Sequence, residues 1–161
     1  MSDFRVIQGC PVNAIIAPYI WIVTNDCHAT VNSIYRGEDA AGILHAHGHH
    51  TQAELYEMYL NGQGYPANPP GFSTHELRSD GHAYPRVPRG DALAWWQQGF
   101  DVNDADVANV EAQAHKRGWW LFRPYQSGSE FHHLNFETKP IPRSPQTLYR
   151  IKRLRSTLPR K

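Results

Sequence analysis

The sequence predicts an α+β domain built on a small, mostly antiparallel sheet with flanking helices. Three observations carry that expectation. One long apolar stretch lies near the N-terminus, at Ala14–Asp26. Short β-branched or aromatic runs alternate with helical patterns instead of repeating a strand–helix unit. The last two such runs are close together in the chain, which favours antiparallel pairing.

The elements follow in order. Ala14–Asp26 holds Ile15, Ile16, Tyr19, Ile20, Trp21, Ile22 and Val23. Pro18 suits the first turn of a helix beginning there, buried on most sides. Ala29–Tyr35, with Thr30, Val31 and Ile34, reads as a strand ending at Arg36-Gly37. Thr51–Leu60 reads as a helix with Thr51 as N-cap and Leu55, Met58 and Tyr59 on one face. Gly62–Phe72 contains three Gly and three Pro and is a loop. His75–Ala92 reads as loop or short irregular hairpin, and Trp95–Val102 as a strand. Asn103 or Asp104 caps a helix over Asp106–Lys116, with His115, Lys116 and Arg117 at its end and Gly118 as its stop. Trp119–Arg123 and Phe131–Phe136 complete the strands.

Composition narrows the function classes. The chain has 161 residues, 16 Lys+Arg, 15 Asp+Glu and 10 His, with a formal net charge of +1. No apolar run reaches the ~18 residues of a membrane span, so no membrane insertion is expected. Met1-Ser2-Asp3-Phe4-Arg5 lacks the basic start and apolar stretch of a signal peptide. Two cysteines, Cys10 and Cys27, make neither a disulfide scaffold nor a four-Cys zinc site and are expected as free thiols. Residues 1–138 hold 8 basic and all 15 acidic side chains, whereas 139–161 hold 8 basic and no acidic ones. The sequence thus divides into a domain over 1–138 and a basic, proline-containing tail over 139–161, mostly extended with a helical turn or two around Gln146–Leu154. The tail reads as a solvated end or linker, with a clamp on an anionic polymer as the functional alternative.

Eight of the ten histidines cluster in three groups: His45, His47, His49 and His50; His75 and His82; His132 and His133. His45, His47, His49 and His50 form a tract around Gly48 that is expected to have no nearby carboxylate to orient the rings, and it reads as an exposed turn. Ser73-Thr74-His75, Gly99-Phe100-Asp101-Val102 and Glu130-Phe131-His132-His133 together supply two kinds of group. They hold enough His and Asp for a three-ligand catalytic zinc site, and a Glu to manage protons.

These motifs resemble the zinc peptidoglycan peptidases that include D-Ala-D-Ala carboxypeptidases, vancomycin-resistance dipeptidases and L-alanoyl-D-glutamate endolysins. The likeness covers residues 12–138 and is nearest to the N-terminal peptidase domain of mycobacteriophage-type endolysins. It rests on Ser33-Ile34-Tyr35-Arg36 with Gln52, Phe72-Ser73-Thr74-His75-Glu76-Leu77, Trp96-Gln97-Gln98-Gly99-Phe100-Asp101-Val102 and Glu130-Phe131-His132-His133-Leu134-Asn135-Phe136.

The resemblance implies a hedgehog/D-Ala-D-Ala-peptidase-like fold and a Zn2+ cofactor. It implies His75 and His133 as ligands, Glu130 as general base and then acid, and Arg36 beside the ion as an oxyanion or carboxylate donor. The family places its Asp ligand seven residues after the first His, where this chain has His82. Asp101 is preferred for its small-residue, Asp, apolar strand context, with the segment from His82 to Trp95 as an insertion. Asp80, His82 and Asp91 remain candidates. In a regular strand Glu130 and His132 share a face and His133 points away, so His133 as ligand requires a bend near Gly128 and Ser129. Tyr65 and Phe72 border the expected cleft as candidate substrate contacts.

The implied activity is hydrolysis of a stem-peptide bond in bacterial peptidoglycan, at L-Ala–D-Glu or a D-Ala/diaminopimelate-type bond. The implied setting is host cytoplasm before lysis and periplasm or cell wall after it. The protein is expected as a monomer or as one part of a longer multidomain lysin. The alternative is a non-catalytic zinc-containing wall-binding module of the same fold. A His-Asn-His nuclease is disfavoured because no His follows His133, and no nucleic-acid partner is expected.

Overall fold

The structure is a computed structural model. It describes residues 4–77, 95–124 and 131–140. The expected helical turn at 146–154, most of the expected loop over 75–92 and the residues Asp80, His82, Asp91 and Glu130 lie outside the described residues.

The architecture is α+β. A hairpin pairs β1 (Phe4–Ile7) with β2 (Cys10–Asn13), and a four-stranded antiparallel sheet has the order β3-β4-β6-β5. Its strands are β3 (Val31–Ser33), β4 (Phe100–Val102), β5 (Leu121–Phe122) and β6 (His133–Phe136). Four α-helices lie among the described residues: α1 (Ala17–Asp26), α2 (Ala41–Ala46), α3 (Gln52–Leu60) and α4 (Val107–Lys116). None is long and apolar enough to cross a membrane.

The strand period of two sorts the sheet into an apolar and a polar face. Val31 pairs with Val102 and Phe100 with Leu134, and all four belong to the buried core together with Ile20 and Val23 of α1 and Val110 of α4. Phe136 completes this face, edge-on to Trp119 and Tyr19. By that alternation Asp101 and His133 face one another in a second row, and the register shift between Val31 and Ser33 brings Ser33 opposite Asp101 into it. This polar row carries the candidate site.

Several sequence expectations change. The hairpin over Phe4–Asn13 was not anticipated. Its two-residue turn places Gln8 at φ 49 and Gly9 at φ 81, the paired positive angles of a type I′ turn. Gln-Gly is a weaker signal for that turn than Asn-Gly, and Pro11 in β2 obscured the strand pattern. Trp95–Val102 is a strand only at Phe100–Val102, because Trp95–Gln97 forms a 3-10 turn. Asp104–Asp106 forms another 3-10 turn, and Asn103 before it makes no side-chain cap bond. Asp106 precedes α4, but its carboxylate accepts from the Thr30 amide at 2.9 Å, so a tertiary contact replaces the local cap. Helix α1 begins at the predicted place, with Pro18 in its first turn. Helix α3 has the predicted Thr51 cap, and Gly118 at φ 72 ends α4.

Candidate metal centre

His75, Asp101 and His133 come together from three separated stretches of chain, all buried. His75 Nε2 lies 3.0 Å from His133 Nδ1 and 3.2 Å from Asp101 Oδ1, and His133 Nδ1 lies 2.9 Å from Asp101 Oδ1. A tetrahedral zinc ion with bonds of about 2.0–2.2 Å separates its ligand atoms by roughly 3.3 Å. The triangle of donor atoms therefore needs only a few tenths of an ångström of expansion to hold one.

Local sequence explains how each donor is aimed. His75 sits in a 3-10 turn over Thr74–Glu76 with a capping box. The Ser73 hydroxyl accepts from the His75 amide at 3.3 Å, and Glu76 Oε2 accepts from the amides of Ser73 at 3.3 Å and Gly71 at 2.8 Å. Two backbone bonds dock this turn across the polar row: Arg36 N donates to His75 O at 2.9 Å, and Gly99 N to Thr74 O at 3.0 Å. Asp101 and His133 are direct cross-strand partners in β4 and β6.

The strand containing His133 begins at that residue, and Phe131-His132 is a turn. His133 therefore shares its face with Asn135 and Asp101. His132 instead stands 3.3 Å from Asp104.

Each imidazole is also held on its far side. His75 Nδ1 donates to the Ile34 carbonyl at 2.6 Å, which leaves Nε2 as the lone-pair nitrogen of the neutral ring. His133 Nε2 is 3.3 Å from Thr74 Oγ1, whose hydroxyl donates to Asn135 Oδ1 at 3.3 Å. Gly99 makes room for this contact. A Cβ at that position would lie 2.7 Å from His133 Cε1 and 2.5 Å from Thr74 Oγ1.

The donor chemistry fits a cation. With Nδ1 of His75 committed as a donor to Ile34, Nε2 and Asp101 Oδ1 face one another at 3.2 Å as two acceptors. Only His133 Nδ1 can offer a proton to the three-atom cluster, and one proton does not satisfy both contacts. A divalent ion at the centre of the triangle satisfies all three atoms.

The electrostatics keep the donors in ligand form. Burial, reinforced by Arg36, lowers the His75 pKa to about 4 against the opposing pull of Asp101, so the ring is neutral near pH 7. Burial alone would push Asp101 up. The His133 ring and the Arg36 guanidinium outweigh it and hold the carboxyl well below the usual carboxylate range. Arg36 Nη2 donates to Asp101 Oδ2 at 2.5 Å, and its Nε to Ser33 Oγ at 2.7 Å. Arg36 is thus beside the three donors, tied to the carboxylate oxygen that faces away from them.

The His45–His50 tract divides. His45, His47 and His50 are exposed, as an open turn requires, but the tract is not without a carboxylate. Glu54, brought in from α3, lies 3.0 Å from His45 and 3.6 Å from His50. Glu54 is only four residues after His50, so the expectation of no nearby carboxylate is corrected by an i,i+4 contact that the spacing already allowed. Tyr65 and Phe72 are both exposed on the loop leading to His75.

Sequence reasoning placed Thr74, Glu76 and Asn135 in the motifs but gave them no role, and it gave none to the Ile34 carbonyl. Ser73-x-x-Glu76 is a capping-box signature that could have identified Glu76. The Ile34 carbonyl carries no side-chain signal at all. Comparison of the chain with protein-family models, with curated proteins and with solved structures gives no match.

Proposed function

We propose that this protein is a zinc-dependent peptidase of bacterial peptidoglycan, with His75, Asp101 and His133 as the metal ligands. The observation that carries the reading is the convergence of two imidazole nitrogens and one carboxylate oxygen within 3.2 Å of one another, each aimed by a bond on its far side. Two His and one carboxylate leave a tetrahedral ion one open position, the arrangement of hydrolytic rather than structural zinc. A zinc ion bound there supplies Lewis acidity and lowers the pKa of a water toward ~7.

The chain's own residues do the remainder. Arg36 anchors Asp101 and brings a fixed positive charge next to the reacting centre, where it favours a developing oxyanion or a substrate carboxylate. Glu130, next in sequence before the Phe131-His132 turn that leads into His133, takes the role of general base and then acid, a role supported by the Glu-x-x-His resemblance. The choice of peptidoglycan over other peptides rests on that same resemblance, and with it the peptidase-like fold and the lytic setting. Exposed Tyr65 and Phe72 are suited to contact glycan or stem peptide.

The test is digestion of purified peptidoglycan with product identification by mass spectrometry. The zinc-loaded protein is expected to release stem-peptide fragments with new amino termini. Chelation or His133→Ala is expected to abolish release. Glu130→Ala is expected to retain zinc and lose about 10²–10⁴-fold in rate. Wall binding without release would instead establish the non-catalytic module, and zinc-independent release would refute the metal assignment.

A further inference from the structure

The two imidazoles of the centre are held differently on their far sides. His75 Nδ1 meets the Ile34 carbonyl, which can only accept, so the ring hydrogen is fixed there. His133 Nε2 meets the Thr74 hydroxyl at 3.3 Å, and a hydroxyl can give or take a hydrogen. That contact by itself leaves the neutral His133 ring two forms. With the hydrogen on Nε2, Nδ1 carries the lone pair and joins His75 Nε2 and Asp101 Oδ1 as a metal donor. With the hydrogen on Nδ1, that nitrogen is blocked.

We propose that Thr74 and Asn135 form a relay that selects the metal-binding form of His133. The proposal rests on the reading of His75, Asp101 and His133 as zinc ligands. Asn135 lies two residues after His133, on the same face of β6, and is 9% exposed. Its Oδ1 stands 3.3 Å from Thr74 Oγ1. A hydroxyl has one hydrogen. Donated to the Asn135 oxygen, it leaves Thr74 Oγ1 with only lone pairs for His133 Nε2. That nitrogen must then carry the ring hydrogen and donate it, which leaves Nδ1 open to an ion. Thr74 is thus a positioning residue that acts through His133, and Asn135 sets the direction of the relay.

The backbone holds the three side chains together. Thr74 O accepts from Gly99 N at 3.0 Å and from Leu77 N at 3.3 Å. Gly99 precedes Phe100, which pairs with Leu134, so the glycine lies across from Asn135. A Cβ on Gly99 would stand 2.5 Å from Thr74 Oγ1, 2.7 Å from His133 Cε1 and 3.3 Å from Asn135 Oδ1. The relay therefore passes directly over a position that only glycine leaves clear.

The experiment is a competition for zinc between the full chain and a chromophoric chelator, with folding checked by circular dichroism. Thr74→Val, which keeps the shape and removes the hydroxyl, is expected to bind zinc about 10–100-fold more weakly than wild type. Thr74→Ser, which keeps the hydroxyl, is expected to restore wild-type affinity. Asn135→Asp, whose carboxylate can only accept, is expected to bind zinc at least as tightly as wild type, and Asn135→Ala to lose affinity as Thr74→Val does. The Thr74→Val/Asn135→Ala double variant is expected to lose no more than the weaker-binding single variant, because the two groups act in series. Wild-type affinity in Thr74→Val would overturn the relay, as would equal losses in Thr74→Val and Thr74→Ser or additive losses in the double variant. A wild-type protein that takes no zinc from the chelator would instead refute the ligand assignment itself, and the relay with it.

Discussion

At the scale of single residues, the candidate centre depends on atoms that sit close to each other for stated reasons. Gly99 is the sharpest case. Its missing Cβ leaves room for the His133 ring and the Thr74 hydroxyl, which such an atom would approach to 2.7 and 2.5 Å. Gly99→Ala is therefore expected to leave a folded protein whose zinc affinity falls by about tenfold or more, the loss associated with disturbed outer partners of ligands. Unchanged affinity in a zinc titration would show that the His133 position does not matter. Cys10 offers a second test. Burial, with Asp101 adding to it, pushes its thiol up to about 11. Native protein at pH 8 is expected to leave Cys10 unalkylated, and unfolding to expose it to full labelling by mass spectrometry. The residue types of the centre were legible before any coordinates, since His75, Asp101 and His133 stand in short motifs with distinct chemistry. Their far-side partners were not, because the Ile34 carbonyl has no side-chain signature and Thr74 acts across 59 residues of chain to reach His133.

At the scale of elements, local capping positions the functional segments. Thr51 and Glu54 cap α3 reciprocally, and Ser73 and Glu76 do the same for the turn that presents His75. Thr51→Ala is expected to lower stability by about 1 kcal/mol in chemical denaturation. The bond from the Thr51 amide, chiefly, lowers the Glu54 pKa below its ordinary value. A carboxyl with a lowered native pKa contributes stability that is present above its unfolded value and is lost as pH falls through the native one. Glu54→Gln is thus expected to flatten the acid side of the stability profile below about pH 4.5. A profile unchanged from wild type would remove Glu54 from the cap's energetics. Helices α1, α3 and α4 were readable from Pro18, Thr51 and Gly118, residues whose backbone chemistry acts locally. The hairpin β1–β2 and the shortened β4 were not. Pro11 disguises one, and the 3-10 turn at Trp95–Gln97 is decided by tertiary packing instead of propensity.

At the scale of the whole molecule, the sheet separates two tasks. Its apolar face buries Val31, Phe100, Val102, Leu134 and Phe136 against α1 and α4, and its polar face presents Ser33, Asp101 and His133 in a row. A one-residue slip of β6 would exchange His133 for Leu134 on the polar face, so core packing and site assembly enforce the same register. Metal binding should accordingly stabilise the entire domain. Zinc at about 1,000 times its dissociation constant adds roughly 4 kcal/mol to unfolding, read as an upward shift in Tm that His75→Ala abolishes. The most direct test is a crystal structure of the zinc-loaded protein with anomalous scattering recorded at the zinc edge. The account predicts an anomalous peak at bonding distance, about 2.0–2.2 Å, from His75 Nε2, Asp101 Oδ1 and His133 Nδ1 together. Density showing those three atoms in contact only with one another or with water, while zinc occupies sites elsewhere on the chain, would contradict it.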